Sequence, residues 1–371
     1  MITNMDHMHH FNKNEKSLLA VLGKNPEIPL KELVNYTTYK RANSIVRKIV
    51  HLKEKRVIFG PKYYIDPGKL CKNPLHSIIC VVELEKPYNT VISFLKLIEP
   101  LISVYPILTS HKEIVHVAFL SSHDSMVESL LQLLKENNII AGFTIRIRNK
   151  KTCIENPDFS GESVPSLDGL LDSCEFPDLS LGTYTTAWNE CDIAVLNQVI
   201  RERETPKLID ILREERKRGS PWTYEQIKYS HAKLRATHLM TKTFFISPFP
   251  IDQCSDFYLH FKATSMEYTQ RILYNFGKGG RLYKEYTLCG EWGRIGCICH
   301  PRLALGLMYT LDGIDEITHK ELYHFRSFNH VIEHPGGDAV LKYYDVESQT
   351  LHYPYDTFRE NIKEKIDELK E

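Results

Sequence analysis

The sequence predicts an α+β fold: two winged helix-turn-helix domains and two ferredoxin-like (βαββαβ) domains in tandem. Two observations predict it. One order of elements, a helical segment and then two strand-helix-strand units, appears in residues 14–150 and again in residues 188–330, and such a repeat sets the architecture before any single residue is weighed. Each helical segment is also followed by β-branched runs with period-two alternation. The two copies share pattern rather than identity.

In the first copy, NEKSLLAVLGKN from Asn14 places Leu18, Leu19, Val21 and Leu22 on one face and Gly23 near its end, which predicts a helix. LKELVNY gives a short second helix with Leu30, Leu33 and Val34 on one side. YKRANSIVRKIVHLKEKRV then carries Ile45, Val46, Ile49, Val50 and Leu52 at helical spacing, with Lys40, Arg41, Asn43, Ser44, Arg47 and Lys48 facing out. VIFGPKYYIDP reads as a tight hairpin, with Ile58 and Phe59 before Gly60-Pro61 and Tyr63 to Ile65 after. Three helices and a two-stranded wing make a winged helix-turn-helix over residues 14–74, whose third helix enters a major groove.

The sheet domain follows at 75–150. Residues 76–86 form a strand and 87–101 a helix; 102–109 and 113–121 are strands, 123–138 a helix and 139–148 a last strand. The order βαββαβ is the split βαβ arrangement. Residues 151–187, rich in Pro, Ser, Asp and Gly, read as a linker, with Leu170, Leu171, Phe176 and Leu179 apolar enough to pack on a domain surface.

The second copy repeats the three helices between Trp188 and Met240, with TKTFFISPFP as its wing, giving a second winged helix-turn-helix at 188–250. Its sheet domain spans 251–330: strand 256–265, helix 267–277, strands 282–289 and 294–299, helix 301–312 and strand 317–326. Residues 331–371 read as a C-terminal hairpin and helix: HPGGD turns the chain, and Ile362, Ile366 and Leu369 lie on one stripe of the helix.

Composition narrows the function classes. Across 371 residues, Lys plus Arg equals Asp plus Glu at 47 each, so global charge points to no partner. Its distribution does: residues 1–74 hold 14 Lys or Arg against 6 Asp or Glu, a local excess that attracts a polyanion. The second helical domain is less basic, with 11 against 8 over residues 188–250. There is no long apolar run that predicts a membrane span and no apolar signal region after Met1, and the 9 cysteines show no regular pairing. The expectation is a cytoplasmic chain with no membrane partner.

At the junction of helical domain and sheet, the passage LKEKRVIFGPKYYIDPGKL resembles the Lrp/AsnC family of transcription regulators, through Leu52, Ile58 and Gly60 of its "L-x-x-x-x-x-I-x-G" pattern. The resemblance covers residues 14–150 well and 188–330 loosely. It implies that the helical domains bind double-stranded DNA, and that the sheet domains oligomerise and bind a small-molecule effector. Family hairpins before the third strand carry a Gly, an aromatic and an Asp in the effector region. The second copy keeps Gly290, Trp292 and Gly293 without the Asp, and the first, TSHKEIVHVAF, has no glycine there. Two units in one chain imply an intramolecular pseudo-dimer that can assemble further into a homodimer.

The expected DNA interface draws phosphate contacts from Lys40, Arg41, Lys48, Lys53, Lys55, Arg56 and Lys62, and base reading from Tyr39, Asn43, Ser44 and Arg47. The second copy offers Thr223, Gln226, Lys228, Tyr229, Lys233 and Arg235 on its third helix, or else serves as a packing element.

Cys289, Cys297, Cys299 and His300 crowd one stretch, CGEWGRIGCICH. Two thiols one residue apart on a strand share a face, and a hairpin that brought Cys289 opposite them would make a zinc or redox site. Knuckle spacing is missing, and buried packing is the competing reading. NFGKGGR lacks the phosphate-wrapping glycine pattern, and His7, His9 and His10 suit adventitious metal affinity better than a designed site. No serine elbow or carboxylate pair is present. The expectation is a DNA-binding regulator with no catalysis and no cofactor. The alternatives are a small-molecule or redox sensor that acts through protein partners, and an enzyme centred on Cys289 to His300.

Overall fold

The computed structural model describes residues 11–201, 205–326 and 340–370. In chain order the elements are α1 (Lys13–Lys24), a 3-10 turn (Glu32–Tyr36), α2 (Ala42–Glu54), β1 (Ile58–Ile65), β2 (His76–Leu84), α3 (Tyr88–Leu95), β3 (Leu101–Pro106), β4 (Ile114–Ser121), α4 (Asp124–Glu136), β5 (Ile140–Arg148) and β6 (Cys153–Glu155). The second half gives α5 (Glu190–Arg201), α6 (Leu208–Lys217), α7 (Tyr224–Ala236), β7 (Met240–Ile246), β8 (Ser255–Ala263), α8 (Met266–Asn275), β9 (Tyr283–Cys289), β10 (Trp292–Cys299), α9 (Pro301–Asp312), β11 (Ile317–His324), β12 (Tyr344–Asp345), β13 (Thr350–Leu351) and α10 (Tyr355–Lys370). The fold is α+β, with a winged-helix and ferredoxin-like arrangement in tandem.

The chain divides into two units that exchange halves of the two copies. Unit 1 takes the described residues up to Lys62 with Lys151–Leu179 and Lys242–His324; unit 2 takes Tyr63–Lys150, Ser180–Thr241 and the described residues from Phe325 onward. The first helical domain thus shares a unit with the second sheet, and the second helical domain with the first. The expected wing hairpins are corrected here. β1 runs through Gly60-Pro61 as one strand and pairs with β7, so each supposed wing finds its partner in the other copy. Gly60 carries φ 94°, and a Cβ there would stand 2.8 Å from the Lys62 amide nitrogen, so the passage through this point needs a glycine.

Within unit 1, α1 opens on a capping box in which Asn12 and Glu15 bond each other's backbone. Leu18, Leu19, Leu22, Leu33, Ile45 and Leu52 are buried together. Val46 and Val50, expected inward on α2, are exposed, because the face that packs is the one through Ile45 and Leu52. The sheet order is β11-β8-β10-β9-β6. Phe257, Leu259 and Phe261 of β8 point to the helix side, where Ile272 and Leu273 of α8 and Leu303, Leu307 and Leu311 of α9 close the core. The joining segment contributes β6 as the edge strand and buries Leu167, Leu170 and Leu179 in the same core.

In unit 2 the sheet order is β3-β4-β2-β5. Ile78, Cys80 and Val82 point toward α3 and α4, whose Val91, Phe94, Leu95, Leu130, Leu131 and Leu134 are buried in the same core. α3 is shorter than the helix expected over 87–101, because its last turn tightens at Leu97 and Ile98 before Pro100. The Gln349 side chain accepts from the Trp188 amide at 2.7 Å and donates to its carbonyl at 2.8 Å, which fastens the β12–β13 hairpin to the second helical domain. α10 buries Phe358, Ile362 and Ile366, while Leu369 on the expected stripe is exposed. HPGGD and the histidines at 7, 9 and 10 lie outside the described residues.

Candidate functional site on a polar sheet face

Alternation along β8 sends Phe257, Leu259 and Phe261 to the core and leaves Asp256, Tyr258, His260 and Lys262 on the other face. On β10 the register sets Arg294 directly across from His260, and Gly296 across from Tyr258 and, on the other side, Glu285 of β9. A Cβ on Gly296 would stand 2.7 Å from both the Tyr258 ring and the Glu285 side chain. The glycine therefore makes the floor on which those two side chains come together. Arg294 lies over the Tyr258 ring, its guanidinium carbon 3.8 Å from the centroid, and meets Glu285 at 3.2 Å. The His260 ring stands edge-on to Tyr323 of β11 at 5.8 Å, and Tyr323 donates its hydroxyl to Glu321 at 2.7 Å.

His260 is fully buried and Arg294 is 4% exposed, unusual for such groups in the middle of a sheet. Asp256 keeps some solvent exposure, yet the protein packed around it, and behind that the charge on Glu285, pushes its carboxyl well above the usual range. The face thus joins a clamped guanidinium, an imidazole directly across from it and a carboxyl biased toward its neutral form. Those groups suit recognition of a carboxylate and proton transfer beside it.

The sheet of unit 2 carries a related set in a different order. His116 on β4 is 1% exposed and sits across from Val81 and Tyr105, at the position that Arg294 holds in unit 1. Arg146 of β5, also buried, lies across from Ile79. Both sheets therefore place His and Arg on the side away from their helices.

No protein-family model matches the chain, and no curated protein does. Solved structures do. The siroheme decarboxylase NirDL aligns over 97% of this chain and 100% of its own, at 11% identity and a TM-score of 0.48. Its co-complex with an iron-uroporphyrin III analogue aligns over 96% and 100%, at 12% identity and 0.48. AsnC of E. coli aligns over 38% of this chain and 92% of its own, at 17% identity and 0.28. Against the expectation of no catalysis stand the NirDL structures, which carry the name of an enzyme and align over 96–97% of this chain, whereas AsnC aligns over 38% of it.

The DNA-contact candidates fall into separate groups. Lys40, Arg41, Asn43, Ser44 and Arg47 are exposed along the start of α2, and Lys55, Arg56 and Lys62 are exposed beyond its end. Lys53 is half-buried, as is Tyr39, whose hydroxyl burial pushes up. Lys48 is held by Glu15 at 2.9 Å, an ion pair that lowers the Glu15 pKa and raises that of Lys48. On α7, Thr223 and Gln226 are used in a capping box. Lys228 pairs with Glu225, and Lys233 pairs with fully buried Asp192 at 2.5 Å while lying over Trp188. Tyr229 and Arg235 are exposed.

Gly290 takes φ 59° in the β9–β10 turn, Trp292 tilts against His319 at 5.9 Å, and a Cβ on Gly293 would meet the Phe261 ring at 2.6 Å. Turn geometry and close packing thus account for both glycines. The cysteine cluster is corrected. The hairpin sets Cys289 across from Trp292, at the far end of β10 from Cys299. Cys297 and Cys299 share a face, as expected, but that face is the core of unit 1. His300 caps α9, its Nδ1 accepting from the Arg302 amide at 3.2 Å. Among the described residues no group of three His, Cys, Asp or Glu side chains could hold a metal ion, and no helix is long and apolar enough to cross a membrane.

Sequence reasoning passed over His260 and Arg294. The signal that could have found them is a His and an Arg at mid-strand, on the face left over once Phe257, Leu259 and Phe261 are turned inward, with Gly296 beside them.

Proposed function

We propose that the chain binds a carboxylate-bearing tetrapyrrole at the polar face of the unit 1 sheet and removes a carboxyl group from it, the reaction for which NirDL is named. The single observation that supports the reading is the cross-strand set of His260 and Arg294 with Tyr258 and Glu285 seated over Gly296. Arg294 binds the carboxylate through its fork of N–H donors. As the carbon–carboxyl bond breaks, carbon dioxide leaves and the electron pair stays on the side-chain carbon, delocalised into the macrocycle. That carbon then takes a proton from protonated His260, and no oxidant is needed. Both groups are buried, and away from bulk water the attraction between guanidinium and carboxylate is stronger.

A visible-absorption titration of the full chain with iron-uroporphyrin III tests the binding half. Saturable binding that falls about tenfold or more in Arg294→Met supports the reading. An unperturbed spectrum with wild type, or equal affinity in the variant, counts against it.

The exposed side of α2 favours a second reading, a DNA-binding transcription regulator of Lrp/AsnC type controlled by a small-molecule effector at the sheets. Arg41, Asn43, Ser44 and Arg47 line that side, in reach of a major groove if the helix docks as other recognition helices do. Loss of steep, salt-dependent binding to duplex DNA on removing residues 1–74 would support it, and no binding by the intact chain would set it aside.

A further inference from the structure

We infer that a second copy of this chain docks on α9, the outer faces of the two helices meeting antiparallel about a twofold axis. Between Arg302 and Asp312 the helix reads LALGLMYTL, with no charged residue. Leu303, Ala304, Leu307 and Leu311 fill the core of unit 1. The opposite side carries Leu305, 84% exposed, and Tyr309, 86% exposed, the two most exposed large apolar side chains among the described residues. A surface helix ordinarily turns an apolar stripe inward and polar residues outward, whereas a helix that is apolar all round is a covered one. By that rule α9 has a partner on its outer side.

The two ends of the face identify that partner. Arg302, Leu305, Tyr309 and Asp312 share one side at helical spacing, with Arg302 and Asp312 about 15 Å apart along the axis. A twofold axis passing at the level of Leu307 sets each copy's Leu305 beside the other's Tyr309, and each Arg302 within reach of the other's Asp312. The contact is isologous, so every pairing occurs twice, and the positive end of each helix lies beside the negative end of the other. Asp312 already meets Lys320 at 2.6 Å, yet its side chain is 65% exposed and a carboxylate accepts from more than one donor. Gly306 lies on the same face, and a Cβ there would meet nothing within 4 Å. The chain's own packing therefore does not call for a glycine in mid-helix, where one is destabilising; the close approach of a second helix does. A lipid surface fits less well, because it favours cations around such a face and an acid stands at one end.

Sedimentation velocity of the full chain over a concentration series tests the pairing. One helix pair is smaller than a standard interface, so the expected dimer is weak, with a dissociation constant on the order of micromolar. Leu305→Glu with Tyr309→Glu is expected to leave monomer alone. Arg302→Asp and Asp312→Arg are each expected to weaken the dimer about tenfold, and the two together to regain most of that loss, which an effect confined to either position would not do. All four positions are exposed, so the variants report on association rather than on folding. Wild type that stays monomeric throughout the series, a dimer that survives the two glutamates, or charge reversals that the double variant does not recover would each overturn the inference.

Discussion

Lys284 and Glu155 face each other directly across the β9–β6 pair, Nζ 3.0 Å from Oε2, with the lysine wholly buried. The same ammonium donates to the carbonyls of Tyr274 at 2.9 Å and Phe276 at 3.0 Å, where α8 ends. Burial pulls the Lys284 pKa below its ordinary value, and the Glu155 charge pushes back. One side chain thus closes a helix terminus and fastens the joining segment to the sheet.

Lys284→Met is therefore expected to destabilise the protein by about 2–4 kcal/mol, because carbonyl oxygens and a carboxylate lose their cation together. Glu155→Gln should cost less, since that carboxylate is 35% exposed and regains water. Urea denaturation of the two variants checks the order, and equal effects would contradict it.

Asp256 gives a pH dependence. Its folded-state pKa is raised, chiefly by the surrounding protein and then by Glu285. In the window above the unfolded value the native state holds more protons than the unfolded chain, so this group's contribution is present at low pH and is lost as pH rises through the folded pKa. Asp256→Asn should flatten that part of the stability profile and stabilise the fold at higher pH. A profile of unchanged slope would show that Asp256 does not titrate as described.

Gly296→Val should disrupt the site and the fold together. The added side chain would drive Tyr258 and Glu285 apart from their seats on either side of the glycine, at an overpacking cost of about 1–3 kcal/mol. Thermal unfolding with iron-uroporphyrin III titration checks it; binding unchanged from wild type would remove the Gly296 floor from the site.

On the helical side, Arg41→Ala with Arg47→Ala should weaken any duplex DNA binding and lower the slope of log affinity against log salt by about 1, because the phosphate that Arg41 neutralises is lost from the count while Arg47 gives up a base contact. Unchanged slope and affinity would take α2 out of the interface.

Much of the fold was legible because it is local. The spacing of Leu18, Leu19 and Leu22 marks α1, and the period-two runs over 76–86 and 256–265 mark strands β2 and β8, although Thr223 and Gln226, expected to contact DNA, form a capping box. What stayed hidden is non-local. The pairing of β1 with β7 joins segments far apart in sequence, and a hairpin through Gly60-Pro61 was the shorter-range reading of the same residues. The site stayed hidden for a related reason: alternation says which face is apolar, but not that the other face is buried too, so nothing in the sequence set His260 and Arg294 apart. Lys233 looked like a contact for a partner until fully buried Asp192 appeared beneath it.

The most direct measurement is the product mass after the full chain is incubated with siroheme, wild type beside His260→Gln. The account predicts loss of carboxyl groups as carbon dioxide with wild type, and retained binding without that loss in the variant. Siroheme left intact by wild type, or turned over equally by both, would contradict it.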